Sequence, residues 1–130
     1  MYEILSFAIK GDDRGSLIAL EENKNIPFDI KRVYYIFNTK SHVSRGFHAH
    51  KNLQQVLIAI SGSCTIMLDN GDKKRYTVKL NSATKGLLVG AMVWHEMHNF
   101  SFDCVLVVLA SDFYNEEDYI RDYSEFLNKI

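Results

Sequence analysis

The stretch Arg45-Gly46-Phe47-His48-Ala49-His50 decides how this sequence is interpreted, because it places two histidines at positions i and i+2. On a β-strand, side chains at i and i+2 point to the same face, so the two imidazoles are expected to stand side by side. Histidine serves in proteins as a proton carrier near neutral pH or as a metal ligand. The choice between these two roles for His48 and His50 determines the predicted function.

The sequence on both sides of this stretch has the pattern of an all-β protein. Short β-like runs separated by turn signals extend from about 16 to 111, beginning with a short run at 17–21. The segment Asp69-Asn70-Gly71-Asp72 is typical of a hairpin turn. Residues from about 115 to 128 instead show apolar side chains at helical spacing. The prediction is an antiparallel β-barrel or jelly roll followed by one short C-terminal helix.

Composition narrows the class of protein further. The chain has 130 residues, of which 47% are hydrophobic and 24% charged, so we expect a single domain over 1–130. Its 15 basic and 16 acidic residues nearly cancel, which gives no general attraction to nucleic acid or to an anionic membrane. The sequence shows neither a signal peptide nor an apolar stretch of membrane-spanning length. We therefore predict a cytoplasmic protein in which Cys64 and Cys104 are buried, reduced thiols.

Two short motifs resemble those of the cupin superfamily. The first cupin motif has His-x-His, then an acidic ligand and a glycine, and the second has His followed four residues later by Asn. The positions that match or replace these are His48, His50, Gln55, Gly62, His95 and Asn99. The resemblance implies a cupin jelly roll, with the barrel over about 16–111 and the helix over about 115–128.

The main departure from the cupin pattern is Gln55, which stands where cupin metal sites typically have a carboxylate. A neutral amide in place of an anionic ligand weakens a divalent metal site. His48, His50 and His95 could still hold a metal. The replacement nevertheless favours proton chemistry without a metal or other cofactor.

The resemblance to one cupin family, the dTDP-sugar 3,4-ketoisomerases, runs through nearly the whole chain. It is carried by the segments 13–17, 30–36, 45–50, 93–97 and 118–121. It implies that the chain converts dTDP-4-keto-6-deoxyglucose to a 3-keto isomer, with the catalytic histidines at 48 and 50, and that it forms a homodimer. The alternatives are the related dTDP-4-dehydrorhamnose 3,5-epimerases, a metal cupin oxygenase, and a sugar-binding module without catalytic activity.

Moving a carbonyl from C4 to C3 requires removal of the C3 proton, an enediolate intermediate, and delivery of a proton to C4. Histidine suits these transfers because its pKa lies near the working pH. The sequence does not distinguish which histidine of the pair removes the carbon-bound proton. The enediolate also needs a nearby donor or positive charge, for which Tyr35, His95 and Arg14 are the candidates.

Several further residues are predicted to bind the substrate. Arg45 is a plausible clamp for the diphosphate, with Arg32 as a second candidate, because guanidinium groups form paired hydrogen bonds to phosphate oxygens. Gln55 is expected to form hydrogen bonds in the pocket. Tyr35 shares a strand with Arg32, and alternation alone does not say which of the two faces the pocket.

Two positions are expected to set the configuration at C4 of the product. The galacto-producing branch of the family carries Arg before the N-terminal glycine and His after the tryptophan, whereas the gluco-producing branch carries Tyr and Arg. Arg14 and His95 match the galacto branch. The resemblance thus implies dTDP-3-keto-6-deoxygalactose, the precursor of a 3-amino-3,6-dideoxy sugar of a surface glycan, with the gluco-configured product as the alternative.

Overall fold

The computed structural model of the protein describes all 130 residues and consists mainly of antiparallel β-strands. In chain order the strands are β1 (Tyr2–Ser6), β2 (Lys10–Asp12), β3 (Gly15–Leu17), β4 (Arg32–Ile36), β5 (Arg45–His50), β6 (Gln55–Ser61), β7 (Cys64–Asp69), β8 (Tyr76–Leu80), β9 (Lys85–Val89), β10 (Trp94–His98), β11 (Val105–Ala110) and β12 (Tyr119–Ile120). One α-helix, α1 (Tyr123–Lys129), ends the fold, which confirms the all-β prediction with a short C-terminal helix. None of the helices has the length and apolar character that crossing a membrane requires.

The strands form two five-stranded sheets and a separate hairpin. The first sheet has the order β1-β9-β6-β11-β4, the second has the order β12-β5-β10-β7-β8, and β2 pairs only with β3. The sheets do not close into the predicted barrel, because β4 and β12 end their sheets without a further partner strand. A cavity lies between these two edge strands, so the open seam of the jelly roll gives access to its interior.

The main core lies between the two sheets. It contains 14 buried residues, among them Leu57 and Leu106 from the first sheet and Ile66 from the second. Truncating such a side chain to alanine typically costs about 2–5 kcal/mol of unfolding free energy. Cys64 and Cys104 lie in this core as free thiols, as predicted. Burial raises the pKa of the Cys64 thiol to about 12, so this thiol is unreactive at neutral pH.

The C-terminal segment differs from the continuous helix predicted over about 115–128. Asn115 does act as a cap, but of a single 3₁₀ turn, Glu116–Asp118. The chain then becomes extended, because the backbone of β12 pairs with the end of β5. Asp122 starts α1 as a second cap by accepting hydrogen bonds from the backbone N–H groups that follow it. This interruption directs residues 118–121 toward β5 instead of along the outside of a helix.

The N-terminal part of the β region also begins earlier than predicted. The sequence pattern places the first strand at 17–21, whereas β1 already pairs with β9 from Tyr2 onward. Tyr2 packs against the main core, which explains why this exposed-looking segment forms a strand. Residues 18–21 lie outside any strand, and the hairpin of β2 and β3 precedes them.

Candidate active site

The largest cavity has a volume of about 530 Å³ and opens between the edge strands of the two sheets. Its walls come from β4, β5, β10 and the segment around β12. The lining residues are Arg32, Tyr34, Ile36, Ser44, Arg45, Gly46, His48, Met97, Tyr119 and Arg121. Three arginines and His48 are the basic side chains among them, and Tyr34 and Tyr119 contribute two phenols.

A β-bulge in β5 explains how Arg45 and His48 come to line the same cavity. Strict alternation would place them on opposite faces of the strand. Phe47 has a positive φ of 61°, and the pairing of β5 with β10 shifts by one residue at this point. The bulge removes Phe47 from the alternation, so the side chains of Arg45 and His48 both point into the cavity. Gly46 has a φ of 89°, and a Cβ there would lie only 3.1 Å from the carbonyl oxygen of His95.

Three histidines meet at the inner end of the cavity. The ring centroid of His48 lies 5.0 Å from that of His50 and 4.6 Å from that of His95. One ligating nitrogen from each ring lies within 4.8 Å of the others, so these three side chains are the set that could hold a metal ion. Gln55 lies beside them and contributes a neutral amide instead of a carboxylate. The structure thus brings together the predicted pair and the predicted third histidine.

His50 is held by a carboxylate that the sequence analysis did not assign to the site. Its Nδ1 atom lies 3.0 Å from Oδ2 of Asp118, whose other oxygen accepts a hydrogen bond from the backbone N–H of Asn52. Burial, together with the positive charges nearby, lowers the pKa of His50 to about 3, so the ring is neutral at neutral pH. Nδ1–H therefore donates to Asp118, and Nε2 is left as an acceptor facing Gln55.

The other two histidines are also neutral at neutral pH. Burial is the main reason that the pKa of His95 falls to about 3, and the same cause lowers the pKa of His48. Nδ1 of His95 donates to the carbonyl of Val93, and its Nε2 is buried without a partner. Of the three, only His48 lines the cavity, since His50 and His95 are 3% and 1% exposed. His48 is consequently the histidine that a substrate in the cavity would meet.

The structure corrects the prediction for Tyr35. Along β4, Arg32, Tyr34 and Ile36 face the cavity, whereas Tyr35 faces outward and is 61% exposed. The hydroxyl of Tyr34 accepts a hydrogen bond from Nε2 of Gln55 at 3.3 Å. Burial raises the pKa of Tyr34 to about 12, so the hydroxyl keeps its proton. Tyr34, not Tyr35, therefore lies in the cavity, where its hydroxyl can donate a hydrogen bond.

Three arginines give the cavity its positive charge. Arg32 stacks over the rings of Tyr34 and Tyr114, and its Nε is buried without a hydrogen-bond partner. Arg45 was predicted at this site, and the structure places it there. The sequence does not predict Arg121 at this site. Its pattern places residues 118–121 in a helix, and the sequence does not indicate where that helix packs. One acidic residue, Glu116, pairs with Arg121 through two hydrogen bonds, which leaves an excess of positive charge.

Arg14 does not reach this cavity. It lies in the turn between β2 and β3, where its guanidinium group binds Asp12 and is 87% exposed. Arg14 therefore does not line the site formed by a single chain, and its contact with the substrate stays a prediction. The strands β2 and β3 pair only with each other, so the turn between them, which carries Arg14, extends into solvent.

Comparison with known proteins identifies the family. A family model described as FdtA: WxcM-like, C-terminal, matches residues 1–130. Over 128 residues the chain is 58% identical to a TDP-4-oxo-6-deoxy-alpha-D-glucose-3,4-oxoisomerase of Aneurinibacillus thermoaerophilus, covering 98% of this chain and 91% of that protein.

Solved structures agree with this match. The WlaRB TDP-quinovose 3,4-ketoisomerase of Campylobacter jejuni superposes with a TM-score of 0.94 at 55% identity, covering 98% of this chain and 97% of that one. A histidine-to-asparagine variant of the 3,4-ketoisomerase QdtA of Thermoanaerobacterium thermosaccharolyticum, in complex with TDP-4-keto-6-deoxyglucose, superposes with a TM-score of 0.95 at 41% identity, covering 98% and 92%. The chain therefore belongs to the FdtA family and is a relative of the TDP-sugar 3,4-ketoisomerases.

Proposed function

We propose that the protein converts dTDP-4-keto-6-deoxyglucose to its 3-keto isomer, with no cofactor. The observation that carries the proposal is the position of His48, a neutral imidazole at the inner end of a cavity whose exposed part carries Arg45 and Arg121. A base at the inner end and cations toward the opening match a nucleotide-linked sugar, in which the reacting hexose lies at one end of a diphosphate. The 58% identity to a TDP-4-oxo-6-deoxyglucose 3,4-oxoisomerase supports this choice of substrate.

The proposed reaction begins with His48 as the general base. Its neutral ring removes the proton from C3, which the adjacent C4 ketone makes acidic, and an enediolate forms over C3 and C4. The same ring then returns a proton to C4, while the hydroxyl proton on O3 is transferred to O4. The product has a ketone at C3 and a hydroxyl at C4, so no atom and no electron pair is gained or lost overall.

The remaining inner residues support this chemistry. Tyr34 keeps its proton and accepts from Gln55, so its O–H is free to donate to an enediolate oxygen. His50, the second histidine of the predicted catalytic pair, lies behind His48 and forms a hydrogen-bonded series with Asp118 and Gln55. We infer that His50 positions Gln55 and Tyr34. His95 adds a further buried imidazole next to His48.

The arginines account for binding of the diphosphate. Arg45 and Arg32 both line the cavity, as expected for residues that form hydrogen bonds with phosphate oxygens. Arg121 lies over the ring of Tyr119 at 4.3 Å, which directs its guanidinium group toward the same space. We propose that these three groups bind the diphosphate together.

The product is proposed to have the galacto configuration, as a precursor of a 3-amino-3,6-dideoxy sugar made in the cytoplasm for a surface glycan. Quinovose, after which the relative WlaRB is named, has the gluco configuration, so the name of this relative does not favour the galacto product. The proposal rests on Arg14 and His95, of which only His95 lies at the site of its own chain. Arg14 can act on the substrate only if a second copy of the chain brings it there.

A homodimer would supply Arg14 in this way. The edge strand β4 carries the exposed apolar side chains of Val33 and Tyr35, and Phe37, directly after the strand, is a third. Both features favour association with a second copy. Light scattering should give twice the monomer mass of 15.0 kDa. A monomer with full activity would contradict a role for Arg14 at the site of a partner.

Product analysis by NMR tests the proposed reaction. With dTDP-4-keto-6-deoxyglucose in deuterated water, we expect a 3-keto product labelled with deuterium at C4. Deuterium at C5 would instead indicate a 3,5-epimerase. Loss of activity on exhaustive chelation would favour a metal cupin. The galacto product from the wild type and a changed C4 configuration from His95→Arg would support the assignment of configuration.

A further inference from the structure

A second hydrogen-bonded series, separate from the one through His50, runs from beneath α1 to the opening of the cavity. The indole N–H of Trp94 donates to Oε2 of Glu96 at 2.9 Å, and Oε1 of the same carboxylate lies 2.8 Å from Nε2 of His98. Nδ1 of His98 lies 2.7 Å from the hydroxyl oxygen of Ser44. Ser44 lines the cavity. The proposed reaction uses none of these four residues.

When His98 is neutral, the series determines which way the Ser44 hydroxyl points. Both oxygens of Glu96 accept hydrogen bonds, as an ionised carboxylate does, so Nε2 of His98 carries a proton. In the neutral imidazole Nδ1 is then an acceptor, and the hydrogen of Ser44 Oγ is directed toward it. The lone pairs of Oγ remain for the cavity. Ser44 therefore offers an acceptor at a place where the neighbouring arginines offer donors.

An acceptor in this position does not suit a phosphate group, whose oxygens are acceptors too. It suits a neutral donor. Thymidine diphosphate has two neutral donors in its nucleoside, the 3′-hydroxyl of the deoxyribose and the N3–H of the base. Ser44 stands immediately before β5 and next to Arg45, in the exposed part of the cavity wall, whereas His48 lies at the inner end. Because Arg45 is proposed to bind the diphosphate, this position agrees with a contact between Ser44 and the nucleoside beyond the diphosphate.

We propose that Ser44 accepts a hydrogen bond from a neutral donor of the nucleoside, and that His98 and Glu96 position its hydroxyl for this purpose. The inference rests on the proposed function for the identity of the nucleotide. It assigns to Ser44 a part in selecting thymidine diphosphate over nucleotides whose donors differ in position.

Calorimetry with the full-length protein tests the proposal at pH 8.5, where an imidazole is neutral. Three ligands are compared: thymidine diphosphate, its 3′-deoxy analogue and its N3-methyl analogue. Ser44→Ala should weaken binding of thymidine diphosphate about fivefold, the usual effect of one neutral hydrogen bond. Ser44→Ala should not weaken binding of the analogue that lacks the group bound by Ser44. The analogue whose binding is unchanged therefore shows whether that group is the 3′-hydroxyl or the N3–H. Ser41→Ala, in the same exposed loop but outside the cavity, is the matched control.

His98→Ala tests the positioning role, because it leaves Ser44 in place but removes its partner. The wild type should bind thymidine diphosphate more tightly than the analogue that lacks the donor. In His98→Ala this preference should fall to the value found for Ser44→Ala. Equal losses on all three ligands, no loss with Ser44→Ala, or an unchanged preference with His98→Ala would overturn the proposal. Turnover is measured separately, so a wild type that binds the nucleotide without isomerising the sugar refutes the proposed function and not this inference.

Discussion

The inner end of the cavity and its rim have opposite chemical characters. The inner end, formed by His48, His50, His95 and Gln55, consists of neutral groups, because burial holds the histidine pKa values below the ordinary value. The rim, formed by Ser44, Arg45 and Arg121, is exposed and carries permanent positive charge. The same strand, β5, supplies residues to both regions.

This difference separates the two tasks of the enzyme. A base must be neutral to accept a proton, and a buried site keeps an imidazole neutral even though arginines lie nearby. A diphosphate is best bound by guanidinium groups that never lose their charge. If the separation holds, substitutions at the inner end should lower kcat, whereas substitutions at the rim should raise KM.

The strongest test of this separation is the substitution His48→Asn. Loss of a general base is expected to lower kcat by about 10²–10⁴-fold, whereas binding of thymidine diphosphate should stay within about twofold. Turnover is followed by NMR and binding by calorimetry. His42→Asn, on an exposed loop, serves as the control. A variant at position 48 that retained more than a tenth of the wild-type kcat would show that another group removes the C3 proton.

A smaller loss of kcat is expected for Asp118→Asn. An amide cannot match the carboxylate as an acceptor for Nδ1–H of His50, so the ring and the hydrogen bonds of Gln55 and Tyr34 lose their fixed orientation. We expect kcat to fall by about 10–100-fold with little change in KM. Asp112→Asn, on an exposed loop, provides the comparison. A rise in KM without a loss of kcat would mean that Asp118 belongs with the rim and not with the inner end.

At the rim, Arg45→Met should have the reverse effect. Removing one charge-assisted hydrogen bond to the diphosphate is expected to raise KM about tenfold and to leave kcat within about threefold. Lys40→Met removes an exposed positive charge outside the cavity and should change neither constant. If Arg45→Met lowered kcat as strongly as it raised KM, the rim would take part in the chemical step.

The residues that form the two regions were not equally visible in the sequence. The inner end could be predicted, because His48, His50 and Gln55 belong to one local motif and strand geometry places the histidines on one face. The rim could be predicted only in part. Arg45 reaches the cavity through the bulge at Phe47, and a bulge depends on pairing with β10, which no local pattern reveals.

The other misses have the same physical origin. Alternation along β4 divides its side chains into two faces but does not say which face lies inside, so Tyr35 was chosen where Tyr34 faces the cavity. Asp118 and Arg121 reach the site because the backbone of β12 pairs with β5, a contact between residues about 70 positions apart. Their local sequence favours a helix, and the tertiary pairing overrides this preference.

The smallest expected effect concerns the coupling between the two regions, because the charges at the rim act on the base at a distance. The positive charge of Arg121 lowers the pKa of His48, and the negative charge of Glu116 raises it. Arg121→Gln removes the cation, which favours protonated His48, so the acidic limb of the kcat/KM profile should move to higher pH. Glu116→Gln should move the same limb to lower pH. Both variants break the same pair of hydrogen bonds, so shifts in opposite directions would result from charge, whereas shifts in the same direction would indicate a change of structure and would contradict the coupling.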